Sequence, residues 1–511
     1  MGNMSREKTL PNSKHADDQA SLDMGALQQI QESPFAFSST AEKRLVRKID
    51  IMILPIMTFA YMMAFLDKQA LSYTAIMGLR TDLKLRGSEY NWSGSIFYFG
   101  YLFFSYPASI LMVKFPLGKY LACNFMLWAI VLACHAATTN FAGLMVARFF
   151  LGCTEASVSS GFSLITSLWY RTSEQPLRHG IWFCGNSISM IIGNLIALGI
   201  WQIKTGLEPW KWLFIIFGII TFLWGILMFF RLPDAPNTAS FLTEEEKLIA
   251  IERLKANKAG YKRNKIDSAQ IIEAFTDPKT WLLAVMILGS NIPNGGFTTA
   301  SPVPKVNTTD ANTHQFSSLI LYGFGFSTFK TLLLGMPVGA VILVFVLLSS
   351  TLSSKIENCR CIVIAAVGCV SILGSALVYA TDSIASRYAG LLLMGVYSVS
   401  MPLSLAMVAS NIGGFSKRAT VSAIYFIMYC TGNIVGPQLF FEREAPRYQS
   451  GFQAVIVCFV VVVVVALVLG VYLRWENRRR DRVAGPVEDA EKPTELVDTT
   501  DLKNMQFRYV Y

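Results

Sequence analysis

The sequence predicts an all-α membrane protein of twelve transmembrane helices in two six-helix bundles, and three observations predict it. The 511-residue chain is 53% hydrophobic and only 15% charged, with a mean hydropathy of +0.43; soluble domains carry about 25% charged residues. Its apolar runs are long enough to cross a bilayer, which takes ~20 residues. They fall into two groups of six, parted by a hydrophilic connection at 232–280.

Taken in order, residues 1–48 form a polar segment without an apolar run at its start, so no cleavable signal peptide is expected. The first bundle, 49–231, has runs near 49–71, 92–113, 119–138, 142–166, 181–202 and 211–231. The second, 281–474, has runs near 281–300, 331–352, 361–380, 387–410, 419–441 and 452–473, and 475–511 is a polar tail. Positive charge sets the orientation. With the N-terminus cytosolic, that side holds Lys43, Arg44, Arg47, Lys48, Lys114, Lys119, Arg171, Arg178, Lys355, Arg360, Lys417, Arg418 and the arginines from Arg474 onward. The opposite side has fewer, among them Arg80, Lys84, Arg86 and Lys204. Both termini are therefore expected in the cytosol. In the central connection, Thr243-Glu244-Glu245-Glu246 reads as a capping box that opens a helix through about Lys258. Leu248, Ile251 and Leu254 give it an apolar stripe, suited to lying on the membrane surface or on the protein's own cytosolic face. A structural strap is the preferred reading over a regulatory element.

Composition also excludes whole classes of function. The net charge of +10 (44 basic against 34 acidic residues) is concentrated on one side of the membrane, which argues against nucleic acid. Nine cysteines and four histidines are scattered without metal-ligand or disulfide spacing, so no metal and no cofactor is expected. Neither a nucleophile–base set nor a phosphate loop is present, and an enzyme is not expected.

Charge inside the apolar runs is informative because it is costly, at roughly 2.5–3.5 kcal/mol per residue at a helix centre. Arg148 and Glu155 lie seven apart in the fourth run, hence on one helical face and about 10 Å apart along the axis. Two readings are open: an internal salt bridge, or an anion site beside a titratable carboxylate. Arg suits a carboxylate because its fork makes two parallel hydrogen bonds. Glu155, and with it Asp67, is the candidate for proton coupling: a substrate that draws the cation away leaves a carboxylate that takes up a proton. Asp67 and Lys68 are expected to end the first helix, where Lys68 is either a second cation for the anion or the partner of Asp67. The second half has almost no such charge; Arg387 sits at a helix start. Trp182 and Asn186 in the fifth run, Tyr98 and Tyr101 in the second and Asn433 in the eleventh complete the candidate pocket, each weighed against a plain packing role. Gly432, Gly436 and Pro437 would let the eleventh helix bend.

The strings LDKQALSYTAIMGLRTDL (66–83), GSIFYFGYLFFSYPAS (94–109), FPLGKYLACN (115–124), ARFFLGCTEAS (147–157), WYRTSEQPLRHGIWF (169–183), FLTEEEK (241–247) and GFGFSTFKTLLLGMP (323–337) resemble the major facilitator superfamily. Together they resemble its anion:cation symporter family, in the fungal allantoate permease subgroup, from about Ile49 to Arg474. The resemblance implies two pseudosymmetric bundles with a central site between them. It implies secondary active transport by alternating access, as proton-coupled symport of a small organic carboxylate of the allantoate, ureidosuccinate, vitamin-acid or dipeptide type. Animal relatives that move sialic acid and glutamate use an Arg and a Glu seven apart in the fourth helix, which map onto Arg148 and Glu155. Their basic residue at the end of the first helix maps onto Lys68. The family's usual proline and glutamine stand here as Ser160 and Ser105. The expected setting is the fungal plasma membrane and the expected state a monomer, with the bilayer, the anion and the proton as partners. Export of an acidic metabolite and a non-transporting nutrient sensor are the alternatives.

One segment departs from the pattern. Residues 300–315, ASPVPKVNTTDANTHQ, part the seventh run from the string that should follow it. They are either an external loop, with a glycosylation acceptor at Asn307, or a retained intron. The intron is preferred, since the residues permit GCAAGT at Ala300-Ser301, GCTAAC at Ala311-Asn312 and CAG at Gln315.

Overall fold

The computed structural model describes residues 38–86, 89–203, 206–255, 267–298, 328–439, 444, 449–485 and 499–511. Asn307 and the 300–315 segment lie outside them. Among the described residues the regular structure is helical throughout. The main compact unit is Arg47–Tyr511; before it, residues 38–46 supply a serine cap and the first turns of the first helix.

The long helices are α1 (Ser39–Ile76), α2 (Glu89–Lys114), α3 (Leu117–Cys134), α4 (Phe141–Trp169), α5 (Gln175–Trp201), α6 (Pro209–Arg231), α7 (Pro278–Thr298), α8 (Thr328–Lys355), α9 (Arg360–Ala380), α10 (Ile384–Asn411), α11 (Phe415–Val435) and α12 (Gln449–Ala484). Eleven helices among the described residues are long and apolar enough to cross a membrane. The remaining one, α7, is diluted by Lys279, Ser290, Asn291 and Asn294, and it packs along α11 and α12.

Helix ends depart from the apolar runs wherever polar sequence is still good helix. α1 does not end at Lys68 but continues to Ile76, because Gln69–Ile76 holds neither Gly nor Pro. Thr74 donates back to the Ala70 carbonyl (2.8 Å), and the chain turns only at Gly78, whose φ of 102° suits glycine. Asp67 and Lys68 thus sit inside the first helix. At the other end of the chain, RWENRRRDRVA carries α12 on to Ala484.

Glycines set how closely the helices approach. A Cβ on Gly152 would lie 1.9 Å from the Phe97 carbonyl oxygen, and one on Gly100 2.0 Å from that of Phe149. The α2 and α4 backbones therefore touch, which brings Ser93 and Phe97 against α4. Gly436 would meet the Ile292 carbonyl oxygen at 2.1 Å, so the glycines expected to bend the eleventh helix are where α11 lies flush on α7. α11 ends there and passes into a 3-10 turn, Gly436–Leu439.

The halves meet along several helices. Tyr98 and Tyr101 of α2 pack on Tyr429 of α11 at ring-centroid distances of 6.2 and 5.9 Å. At the end that carries the central connection, called here the loop face, Arg360 Nη2 donates to the Thr172 carbonyl (2.6 Å) and Leu177 N to Ser354 Oγ (3.0 Å). Gly180 faces Ser350, where a Cβ would be 2.2 Å from the hydroxyl oxygen.

In the connection, the expected capping box forms: Thr243 N donates to Glu246 Oε2 (2.9 Å) and Glu246 N to Thr243 Oγ1 (3.3 Å). The helix runs Glu244–Lys255, but its buried face is Ile249, Ala250 and Arg253 rather than Leu248, Ile251 and Leu254. The reason is Arg253, which is buried against the α4–α5 loop and pairs with Glu174 at 2.6 Å. That charge overrides the apolar stripe and turns the helix onto protein.

The last residues of the chain are also packed. Asp501 is fully buried and accepts from Lys279 Nζ and Lys417 Nζ (both 2.8 Å), and Asp277 and Glu273 complete the cluster. Burial alone would raise the Asp501 pKa; the two ammonium groups outweigh it and hold the carboxyl below its ordinary range. Arg480 is held by the carbonyls of Asp501, Asn504 and Phe507 at 3.0–3.1 Å, and Arg360 N donates to the Tyr511 carbonyl (3.1 Å). Polarity along the tail gives no sign of this.

Candidate functional site

The α2–α4 contact builds the centre of the N-terminal half. Arg148 is buried and donates through Nε to the Ser93 carbonyl (3.1 Å), while its Nη1 has no hydrogen-bond partner. One turn on, the Phe97 ring lies 5.2 Å from the Arg148 guanidinium and 5.7 Å from Lys68 Nζ. Both distances fall within the ~6 Å over which a ring face attracts a cation. Phe97 therefore holds two positive side chains near one another.

Lys68 reaches from α1 to Glu155 on α4, with Nζ 2.5 Å from Oε1. Glu155 thus pairs across helices with Lys68, not along its own helix with Arg148, and the alternative of a Lys68–Asp67 pair is not the one formed. The second Glu155 oxygen is buried and unpartnered. Asp67 is fully buried beside the Trp128 indole and feels the charges of Glu155, Arg148 and Lys68. Two cations and two carboxylates from α1 and α4 thereby share one buried electrostatic cluster.

Local structure fixes Glu155 at the end of a helical segment. α4 is interrupted after Glu155 and resumes at Val158. Asn124 of α3 fills the break, donating to the Thr154 carbonyl and to Ser157 Oγ (2.8 Å). Neither Asn124 nor Phe97 was among the residues singled out from sequence. The spacing of four through Ser93, Phe97 and Tyr101 was the available signal for Phe97.

The other candidates lie around this centre in distinct roles. Tyr101 packs on Phe97 and Tyr429, and Tyr98 stands edge-on to Phe97, so both link the cluster to the second half. Trp182 is fully buried, packs on Tyr61 at 4.7 Å and donates to Thr166 Oγ1 (3.2 Å), inside the first half. Asn186, one turn on, is half-buried. Asn433 belongs to a polar group of the second half: it accepts from Asn294 Nδ2 (2.7 Å) and donates to Asn291 Oδ1 (3.2 Å). Tyr397 joins that group by donating to Asn294 Oδ1 (2.7 Å). Farther toward the loop face, Ser109, Ser160, Ser163, Ser167 and Arg418 line a narrow cleft between the halves.

Helices of this length and polarity, packed as two halves with a buried charge cluster in the first, define a polytopic membrane protein. The chain belongs to the major facilitator superfamily, whose family model matches residues 57–437. It is 38% identical to an uncharacterised transporter of Schizosaccharomyces pombe over 92% of this chain and 89% of that protein. It is 37% identical to the allantoate permease of Saccharomyces cerevisiae over 92% of this chain and 86% of that one. Among solved structures, a proton:xylose symporter superposes with a TM-score of 0.60 at 12% identity, covering 83% of this chain and 95% of the other. The family is one of transporters, not of enzymes.

Proposed function

We propose that the protein is a proton-coupled symporter of a small organic carboxylate, with both termini cytosolic, acting as a monomer in the plasma membrane. The single observation that carries the reading is a buried arginine, Arg148, with an unpartnered Nη1 beside a Lys68–Glu155 pair. Arg148 and Lys68 balance Asp67 and Glu155, so the cluster is neutral when all four are charged. A monoanionic substrate adds one negative charge to a medium that penalises it, and one proton removes it. Arg148 takes the substrate carboxylate; competition for Lys68 frees Glu155, which accepts the proton. Both ligands then share one condition for crossing, a cluster restored to neutrality. The likeness to a permease named for allantoate supports the carboxylate class.

The test is uptake by cells expressing the protein, screened over small carboxylates including allantoate at about pH 5 and about pH 7. Accumulation that is greater at the lower pH and abolished in Arg148→Ala is the expected result. Accumulation of neutral sugars or cations overturns it, and expression at the cell surface with no flux of any tested solute favours a sensor. Efflux that exceeds uptake under an inward proton gradient identifies an exporter.

A further inference from the structure

The outer face of α12 changes character along its length. α12 has 36 residues and is about 54 Å long, whereas the hydrocarbon layer is about 30 Å thick. Its exposed stripe runs Val457, Val460, Val464, Val468 and Val471, at spacings of three and four, with Val471 70% exposed. In a membrane this is the face that acyl chains cover. The same stripe then continues through Trp475, which is 58% exposed, to Arg478 and Arg482, with Arg474 beside it. The aliphatic-to-Trp-to-Arg order is that of a helix leaving the hydrocarbon through the headgroup layer.

The opposite face of the same segment fixes which way these arginines point. Arg480 is fully buried and tied to the packed tail by the three carbonyls named above and by Tyr509 Oη (2.7 Å). Asn477 donates to the Tyr509 carbonyl (2.8 Å). Glu476 is occupied by Arg479 and Arg480, at 2.7 and 3.0 Å. The tail thus clamps one side of the helix, and the other side is held outward. Among the described residues no carboxylate lies within ion-pair distance of Arg474, Arg478 or Arg482, and these three are exposed around a recess they share with Val471, Trp475 and Arg479.

We infer that this recess binds the headgroup of an anionic phospholipid, with its acyl chains along the valine stripe. The lipid, rather than a soluble phosphate, is the occupant because the recess is continuous with the acyl-chain face and Trp475 sits at their junction. Arg474 to Arg482 covers about 12 Å along the helix, more than a single phosphate spans, so a headgroup with additional phosphates, as in a phosphoinositide, is favoured. With the loop face cytosolic, as in the functional proposal above, the recess meets the leaflet richest in anionic lipid.

The experiment measures binding of short-chain phosphatidylinositol bisphosphate to the purified full chain in neutral mixed micelles, where neither sidedness nor transport takes part. Its failure therefore leaves the transport reading untouched. At roughly fivefold per arginine, Arg474→Gln/Arg478→Gln/Arg482→Gln should weaken binding about 100-fold, and the triple Lys variant should keep most of it. Short-chain phosphatidylcholine should not bind, and free inositol trisphosphate should bind at least about tenfold more weakly than the lipid. Unchanged binding in the triple Gln variant overturns the inference, as does equal affinity for the soluble inositol phosphate. Heat stability of the unliganded variants is the control for folding, since none of the three arginines is buried.

Discussion

Replacing Glu155 by Gln is the most direct test of the charge cluster, because the structure gives the same residue a stability role and a coupling role. Lys68 Nζ and Glu155 Oε1 are 2.5 Å apart, which at an effective dielectric of about 20 is a gross attraction of about 6–7 kcal/mol. Most of that offsets desolvation, and the measurable quantity is the cost of leaving one partner alone, about 3–5 kcal/mol for a buried pair. The Lys68 side chain keeps 20% exposure while Glu155 keeps 3%, so the lower end applies when Glu155 is the residue removed. Glu155→Gln should cost about 3 kcal/mol and Lys68→Gln, which strands the more deeply buried partner, about 5, whereas the double variant should cost no more than about 3, because it leaves no orphaned charge. Equilibrium unfolding in mixed micelles with increasing dodecyl sulfate measures all three. Additive losses of about 8 kcal/mol in the double variant would refute the pair. In transport, Glu155→Gln should make uptake insensitive to external pH; pH dependence identical to that of the parent removes Glu155 from the coupling step.

Three further outcomes follow from the packing. Asp501→Asn should release the tail, read as faster hydrogen exchange of the 499–511 amides, with a loss of about 2–4 kcal/mol since Lys279 and Lys417 lose a shared partner. Because the folded carboxyl titrates below its ordinary value of 3.8, its contribution is present in full above about pH 4 and is lost as pH falls through the folded value; tail-amide protection, corrected for the pH dependence of intrinsic exchange, that does not decline on acidification would contradict this. Glu174→Gln should cost about 3 kcal/mol by removing the carboxylate that pairs with the fully buried Arg253, whereas Glu246→Gln, whose Lys48 partner is 39% exposed, should cost less than about 1; equal melting temperatures for the two would dispose of the distinction. Gly152→Leu should prevent assembly of the first half, because a side chain there meets the α2 backbone at 1.9 Å; a monodisperse protein with normal helix content would show that α2 and α4 separate easily.

The sequence by itself determined the class of fold, the spans and the charged residues worth watching. Bilayer thickness and the cost of buried charge act on each segment locally, so Arg148 and Glu155 are conspicuous without knowledge of any neighbour. It also specified the capping box at Thr243 and Glu246, a contact between residues three apart. Partners were not determined in this way. That Glu155 pairs with Lys68, that Phe97 lies by both cations, that Arg253 turns the loop helix onto Glu174 and that Asp501 joins Lys279 and Lys417 all depend on residues 29 or more positions apart. Such pairs are chosen by how closely backbones approach, at Gly100 and Gly152 for the central cluster, and that approach exists only once the helices have packed.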